Sequence, residues 1–95
     1  MKNVTLQIIN EVGLHARPAA QFVQLAGKYQ AKITVRNMTA GSNWVNAKSI
    51  LSVLTLGAEK GHEVELQAEG PDEAQAIEGL ADLIRSGLGE SAPKE

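Results

Sequence analysis

The residues able to do chemistry stand together near the start of the chain. Gly13-Leu14-His15-Ala16-Arg17-Pro18 sets an imidazole and a guanidinium two positions apart, directly before a stretch with helical periodicity. That is the wrong end of a helix for cations. The macrodipole places roughly half a positive charge there, and a cation costs about 0.3 to 1 kcal/mol where an acid would help. Helix starts also favour Ser, Thr, Asp or Asn, whose side-chain oxygen accepts from the first amides, and the side chains of Ala16 and Arg17 cannot accept. Residue 17 precedes a proline, which biases it away from helical dihedrals, so the helix is expected to start near Pro18 with His15 just outside it. An anion would satisfy all of these oddities at once. A phosphoryl group on a ring nitrogen of His15 would meet the free amides at the helix start, that of Ala16 among them, and the guanidinium fork of Arg17. A neutral imidazole has the lone pair to attack phosphorus. Phosphoryl transfer then needs in-line positioning and charge stabilisation, which a donor protein can supply. The residues alone leave a second reading open, a site that holds a small phosphorylated ligand without a covalent step.

Such a site needs a strand to deliver it and a helix for it to open. Val4, Leu6 and Ile8 alternate with other residues in the period-2 pattern of a half-buried strand, and Asn10-Glu11-Val12-Gly13 reads as the turn after it. Ala19, Phe22, Val23, Ala26 and Tyr29 then recur at helical spacing. Residues 31–36 alternate again, Thr39-Ala40-Gly41-Ser42-Asn43 supplies turn chemistry, and Trp44-Val45 completes a hairpin. Asn46 to Leu56 reads as a short, very apolar helix stopped by Gly57. A further alternating strand runs from Glu63 to Ala68. Pro71, Asp72 and Glu73 occupy the first turn of a last helix with Ala74, Ile77, Leu80, Ala81 and Ile84 inward, weakened by ~1 kcal/mol at Gly79. The order βαββαβα with alternating strands predicts a two-layer α/β sandwich, with helices on one face of the sheet and water on the other.

A chain of 95 residues has room for one domain of roughly 100 and for no separate catalytic module. Residues 1–88 are expected to form that domain and residues 89–95 a flexible tail. A formal net charge of -2 argues against nucleic acid as a partner. The absence of Cys excludes a disulfide framework, a thiolate metal site and a Cys nucleophile. No run approaches the ~20 apolar residues of a membrane span and no export signal is visible, so the chain is expected to be cytoplasmic without membrane insertion. Neither a metal nor a cofactor is called for.

Two motifs then carry a resemblance. Gly13-Leu14-His15-Ala16-Arg17-Pro18-Ala19 resembles the phosphorylation-site motif of the HPr family, the histidine-containing phosphocarriers of the phosphoenolpyruvate:sugar phosphotransferase system. Val45-Asn46-Ala47-Lys48-Ser49-Ile50 is similar to the family's regulatory-serine segment, with Leu56-Gly57 following at the usual spacing. The resemblance spans residues 3–86. It implies an α+β fold, an open-faced two-layer sandwich whose four-stranded antiparallel sheet has the order 1-4-2-3 and carries three helices on one face. It implies that His15 is phosphorylated at Nδ1, with Arg17 as the phosphate partner. Enzyme I, charged from phosphoenolpyruvate, would be the donor and sugar-specific enzyme II A domains the acceptors. The chemistry is of transferase type, the carrier being consumed and regenerated by its partners. The resemblance further implies that Ser49 is a target for a serine kinase/phosphorylase, and that Ile50, Leu51 and Leu54 touch partner proteins.

The residues give these last positions readings of their own. The Ser49 hydroxyl, near the start of the second helix, suits a cap. That helix is too apolar for a single buried stripe, so part of it is expected to be exposed as a docking face. Lys28 and Lys48 would add positive charge around the face, and Gln21 on the first helix is a further contact candidate. His62 reads as a surface residue without a partner. The connection from Arg36 to Asn43 is longer than is usual in the family and carries Trp44 near its end, which bears on hairpin shape and partner choice. Competing readings are a regulatory phosphocarrier without a transport role, a phosphometabolite-binding module, and an acylphosphatase-like hydrolase. A monomer is the expected state.

Overall fold

Alternation along the strands produces a sheet with one dry and one wet face. In a computed structural model that describes residues 1–88, the elements are β1 (Lys2–Gln7), α1 (Ala16–Ala26), β2 (Lys32–Asn37), β3 (Val45–Asn46), α2 (Ile50–Leu54), β4 (Glu63–Glu69) and α3 (Glu73–Arg85). The tail expected over 89–95 lies outside the described residues. The sheet is antiparallel throughout, with the order β1-β4-β2-β3. β4 therefore sits between the strand that leads into His15 and the strand that leads toward Ser49.

On the dry face Leu6, Ile33, Val35, Val64, Leu66 and Ala68 of the sheet form one buried core with Phe22 of α1, Val53 of α2, and Leu80 and Ile84 of α3. Each large aliphatic or aromatic side chain hidden in this way contributes about 1.5–3 kcal/mol. The wet face carries a polar chain across the strands. Asn3 of β1 donates to Glu65 of β4 at 3.1 Å, Arg36 of β2 donates to the same carboxylate at 2.7 and 2.9 Å, and the Arg36 guanidinium lies 4.8 Å from the ring centre of Trp44 beside β3.

Several boundaries differ from the sequence reading. Helical hydrogen bonding begins at Ala16, not near Pro18, and α1 ends at Ala26, leaving Tyr29 beyond it. The second helix starts at Ile50, not Asn46, because Asn46 is drawn into β3 opposite Thr34 and the Ala47 amide bonds the Ile33 carbonyl at 3.0 Å. Pro71 and Asp72 precede α3 and do not lie in its first turn, and Ala76 is buried where Ala74 was expected, Ala74 facing solvent. Gly79, read as a weak point of α3, has a packing role: a Cβ there would meet the Tyr29 hydroxyl at 2.2 Å.

Asp72, at the head of α3, ties this layer together. Its two carboxylate oxygens accept from the backbone amides of Gln30 and Ala31, each at 2.8 Å, and so fasten the turn between α1 and β2. The Gln30 amide first, then that of Ala31 and the charge of Lys48, hold the Asp72 carboxyl below its ordinary range against a smaller opposing effect of burial. A carboxyl with a depressed folded-state pKa contributes stability above its unfolded pKa and loses it as pH falls through the folded value. Asp72→Asn is therefore expected to lower the urea midpoint at pH 7, with the gap to wild type closing below about pH 4. A gap of constant size down to pH 2 would show that the carboxylate charge is not what holds the turn.

Candidate functional site

Leaving β1, the chain folds back on Asn10, whose side-chain amide donates to the Gly13 carbonyl at 2.9 Å while the Gly13 amide bonds the Asn10 carbonyl at 3.2 Å. Gly13 has φ +65 and lies against the residues after α2; a Cβ on it would stand 2.2 Å from the Ala58 carbonyl oxygen and 2.8 Å from the Glu59 Cα. Only glycine meets both demands. Leu14 then drops fully into the core and its amide bonds the Ala58 carbonyl at 2.9 Å. A buried residue on either side, Leu14 and Pro18, leaves His15, Ala16 and Arg17 exposed between them.

His15 is the N-cap of α1, with extended backbone (φ -132, ψ 157) and no side-chain cap hydrogen bond. No acid stands in the first turn. Ala16 has φ 54, the left-handed region, which costs a residue with a Cβ roughly 1–2 kcal/mol. Pro18 has no amide, so the donors at the first two helical positions are those of Ala16 and Arg17. Among the described residues Arg17 makes no ion pair or hydrogen bond. The arrangement is an uncapped positive helix end with an imidazole at the cap position and, two residues on, a guanidinium unengaged among the described residues. Such a site can receive a tetrahedral dianion.

The second group of candidates gathers on α2, which packs beside α1. Ser49 caps α2, its hydroxyl oxygen accepting from the Ser52 amide at 3.3 Å. Val53 faces the core, whereas Ile50, Leu51 and Leu54 are exposed, Leu51 to 75%. The surplus of apolar residues thus lies outside. Chain continuity links this face to the site, since Leu54 leads through Leu56 to Ala58, the residue that holds Leu14. Gln21 is half-buried and Lys28 exposed. Lys48 is half-buried and donates to the Tyr29 carbonyl at 2.7 Å, so its ammonium caps the turn after α1.

His62 is a correction. It is half-buried, and its Nδ1 accepts from the Glu59 amide at 3.2 Å and lies 3.0 Å from Nδ2 of the fully buried Asn37. Sequence reading missed both residues. An Asn ending an alternating strand on its buried side was the available signal for Asn37; its pairing with His62 spans two loops and leaves no local pattern.

The comparisons with known proteins meet this geometry. Residues 2–86 match the family model described as PTS HPr component phosphorylation site. The chain is 40% identical over 90 residues to the phosphocarrier protein HPr of Neisseria meningitidis serogroup A, covering 95% of this chain and 98% of that one. It is 47% identical over 87 residues to a multiphosphoryl transfer protein of Haemophilus influenzae, of which it spans only 17% while 92% of this chain is covered. The crystal structure of HPr-C-His from Thermoanaerobacter tengcongensis superposes with a TM-score of 0.90 at 50% identity, over 97% of this chain and 100% of that one. A helix start capped by a histidine without a side-chain hydrogen bond, a sheet in the order β1-β4-β2-β3 and likeness along nearly the whole chain all lead to one assignment: this protein belongs to the HPr family.

Proposed function

We propose that this chain is a phosphocarrier of the phosphotransferase system, accepting a phosphoryl group on His15 and handing it to a second protein. The observation that carries this reading is the uncapped start of α1, where the cap position is a histidine and no acid stands in the first turn. In the forward step Nδ1 of His15 forms a bond to phosphorus as the bond to the donor breaks. The dianion is then met by the amides of Ala16 and Arg17, the helix end and the Arg17 guanidinium. In the reverse sense the same group leaves to an acceptor, and His15 returns as neutral imidazole. Phospho-enzyme I is the donor and enzyme II A domains are the acceptors in this reading. Ile50, Leu51 and Leu54, with Gln21 and Lys48 at the edge, form the face on which they dock. Ser49 is both cap and regulatory site: a phosphate on it would sit at the α2 start and place about two negative charges beside that face, slowing transfer to His15.

The test is intact mass after incubation with enzyme I, magnesium and phosphoenolpyruvate, for wild type and His15→Ala. One added phosphoryl group is expected on the wild type, absent from the variant and lost in acid. An adduct that persists in His15→Ala would displace the site, and no adduct on either protein with an active enzyme I would overturn the reading in favour of a binding module.

A further inference from the structure

One short loop holds both ends of the segment that presents His15. Residues 58–62, between α2 and β4, bond Ile8 twice, the Ile8 amide to the His62 carbonyl and the Gly61 amide to the Ile8 carbonyl, each at 2.8 Å. The same loop takes the Leu14 amide on the Ala58 carbonyl at 2.9 Å. Residues 9–13 make their own turn between those two attachments, and the next residue after Leu14 is His15. The direction in which the imidazole is offered therefore depends on the shape of residues 58–62.

That shape is set through a side chain. Within the loop the Glu59 amide donates to His62 Nδ1 at 3.2 Å, in addition to the His62 amide bonding the Glu59 carbonyl at 2.9 Å. From outside, Asn37 fixes the ring. Its Oδ1 accepts from the Ala40 amide at 3.1 Å and its Nδ2 donates to the Leu56 carbonyl at 3.1 Å, which settles the orientation of the amide. The second hydrogen of Nδ2 then goes to His62 Nδ1 at 3.0 Å. With the Asn37 amide oriented in this way both neighbours of Nδ1 are donors that share its one lone pair, and the neutral tautomer that fits carries its proton on Nε2. Asn37 is fully buried, so leaving one of its hydrogens unpaired would be costly.

We infer that His62 is a positioning residue for phosphoryl transfer: its Nδ1, braced by Asn37, keeps residues 58–62 in the form that clamps Ile8 and Leu14 and so aims His15. The inference rests on the carrier reading for its effect on transfer, though the clamp itself does not.

Two isosteres separate the atoms of the ring, since Asn places an oxygen where Nδ1 stands and Gln places one near Nε2. The experiment compares His62→Asn, His62→Gln and His62→Ala by amide hydrogen exchange and by initial rates of His15 phosphorylation over a range of enzyme I concentration. In the Gln and Ala variants exchange at Ile8 and Leu14 is expected to quicken about 10-fold as the clamp opens. The rate at saturating enzyme I is expected to fall about 10-fold with an unchanged half-saturation point, because the α2 face is untouched. His62→Asn is expected to keep both within about 2-fold of wild type. Asn and Gln behaving alike would overturn the inference, as would a changed half-saturation point with the saturated rate intact. Should His62→Ala fail to fold, the Asn and Gln pair decides. A wild type that takes no phosphoryl group refutes the carrier reading and the transfer role together, while exchange at Ile8 and Leu14 still decides the clamp.

Discussion

Gly13→Ala is expected to lower folding stability by about 2–5 kcal/mol, a large share of the roughly 5–15 kcal/mol available to a domain of this kind. Two effects add at this residue. Its φ of +65 costs any residue with a Cβ roughly 1–2 kcal/mol, and the new carbon would overlap backbone at Ala58 and Glu59, atoms that cannot swing away as a side chain tip can. Relief requires the 58–62 loop to shift, at about 1–3 kcal/mol. Gly57 is the internal control, having φ +59 but nothing within 4 Å of its Cβ position. Gly57→Ala should therefore show the dihedral effect alone, near 1 kcal/mol. Urea midpoints for the two variants make the comparison, and equal losses would mean that the 58–62 loop yields freely to Gly13.

Arg17→Ala is expected to slow phosphoryl transfer to His15 by about 10- to 100-fold without lowering the urea midpoint, which the loss of a cation at the positive helix end should if anything raise. The side chain is exposed and, among the described residues, makes no ion pair or hydrogen bond, so its removal takes nothing from the fold. In the proposed carrier reading it removes a charged donor two residues from His15, for a group that is negative only when the phosphoryl arrives. Arg17→Lys should fall between, keeping the charge and losing the two-pronged geometry that matches phosphate oxygens. Quenched-flow measurement with enzyme I separates the three proteins. A rate for Arg17→Ala within 2-fold of wild type would assign the stabilisation to the helix start alone.

Much of this was legible in the sequence because it is local. The β1 alternation, the helical spacing of Ala19, Phe22 and Ala26, and the uncapped cation-bearing start of α1 are each written within a dozen residues, and each is found, the helix start two residues earlier than expected. What was misread depends on partners distant in sequence. Asn46 fits the apolar run that follows it, yet pairing with Thr34 pulls it into β3 and shortens α2. Ala74 fits the inward pattern of α3 until the helix begins at Glu73, after which Ala76 and Leu80 take the buried stripe. His62 looked solitary because its donors are a loop amide and an Asn at the end of the neighbouring strand β2, 25 residues away in sequence. The candidate site announced itself through a violation of helix-start rules, whereas the contacts of His62 obey every rule and leave, beyond an Asn at the buried end of a strand, no mark in the sequence.

The attachment of Leu14 to Ala58 has a bearing on the order in which the molecule comes into being. Every residue of the candidate motif from Gly13 to Pro18 lies in the first fifth of the chain, but the surface on which it rests belongs to the second half. Contacts of such wide sequence separation form late, after the closure entropy of the intervening loop has been overcome. During synthesis the motif is thus exposed as plain polypeptide long before it is a site, and it gains its geometry only when residues 58–62 arrive beneath it. A finished fold, and not the presence of the histidine, is what a phosphoryl donor would recognise.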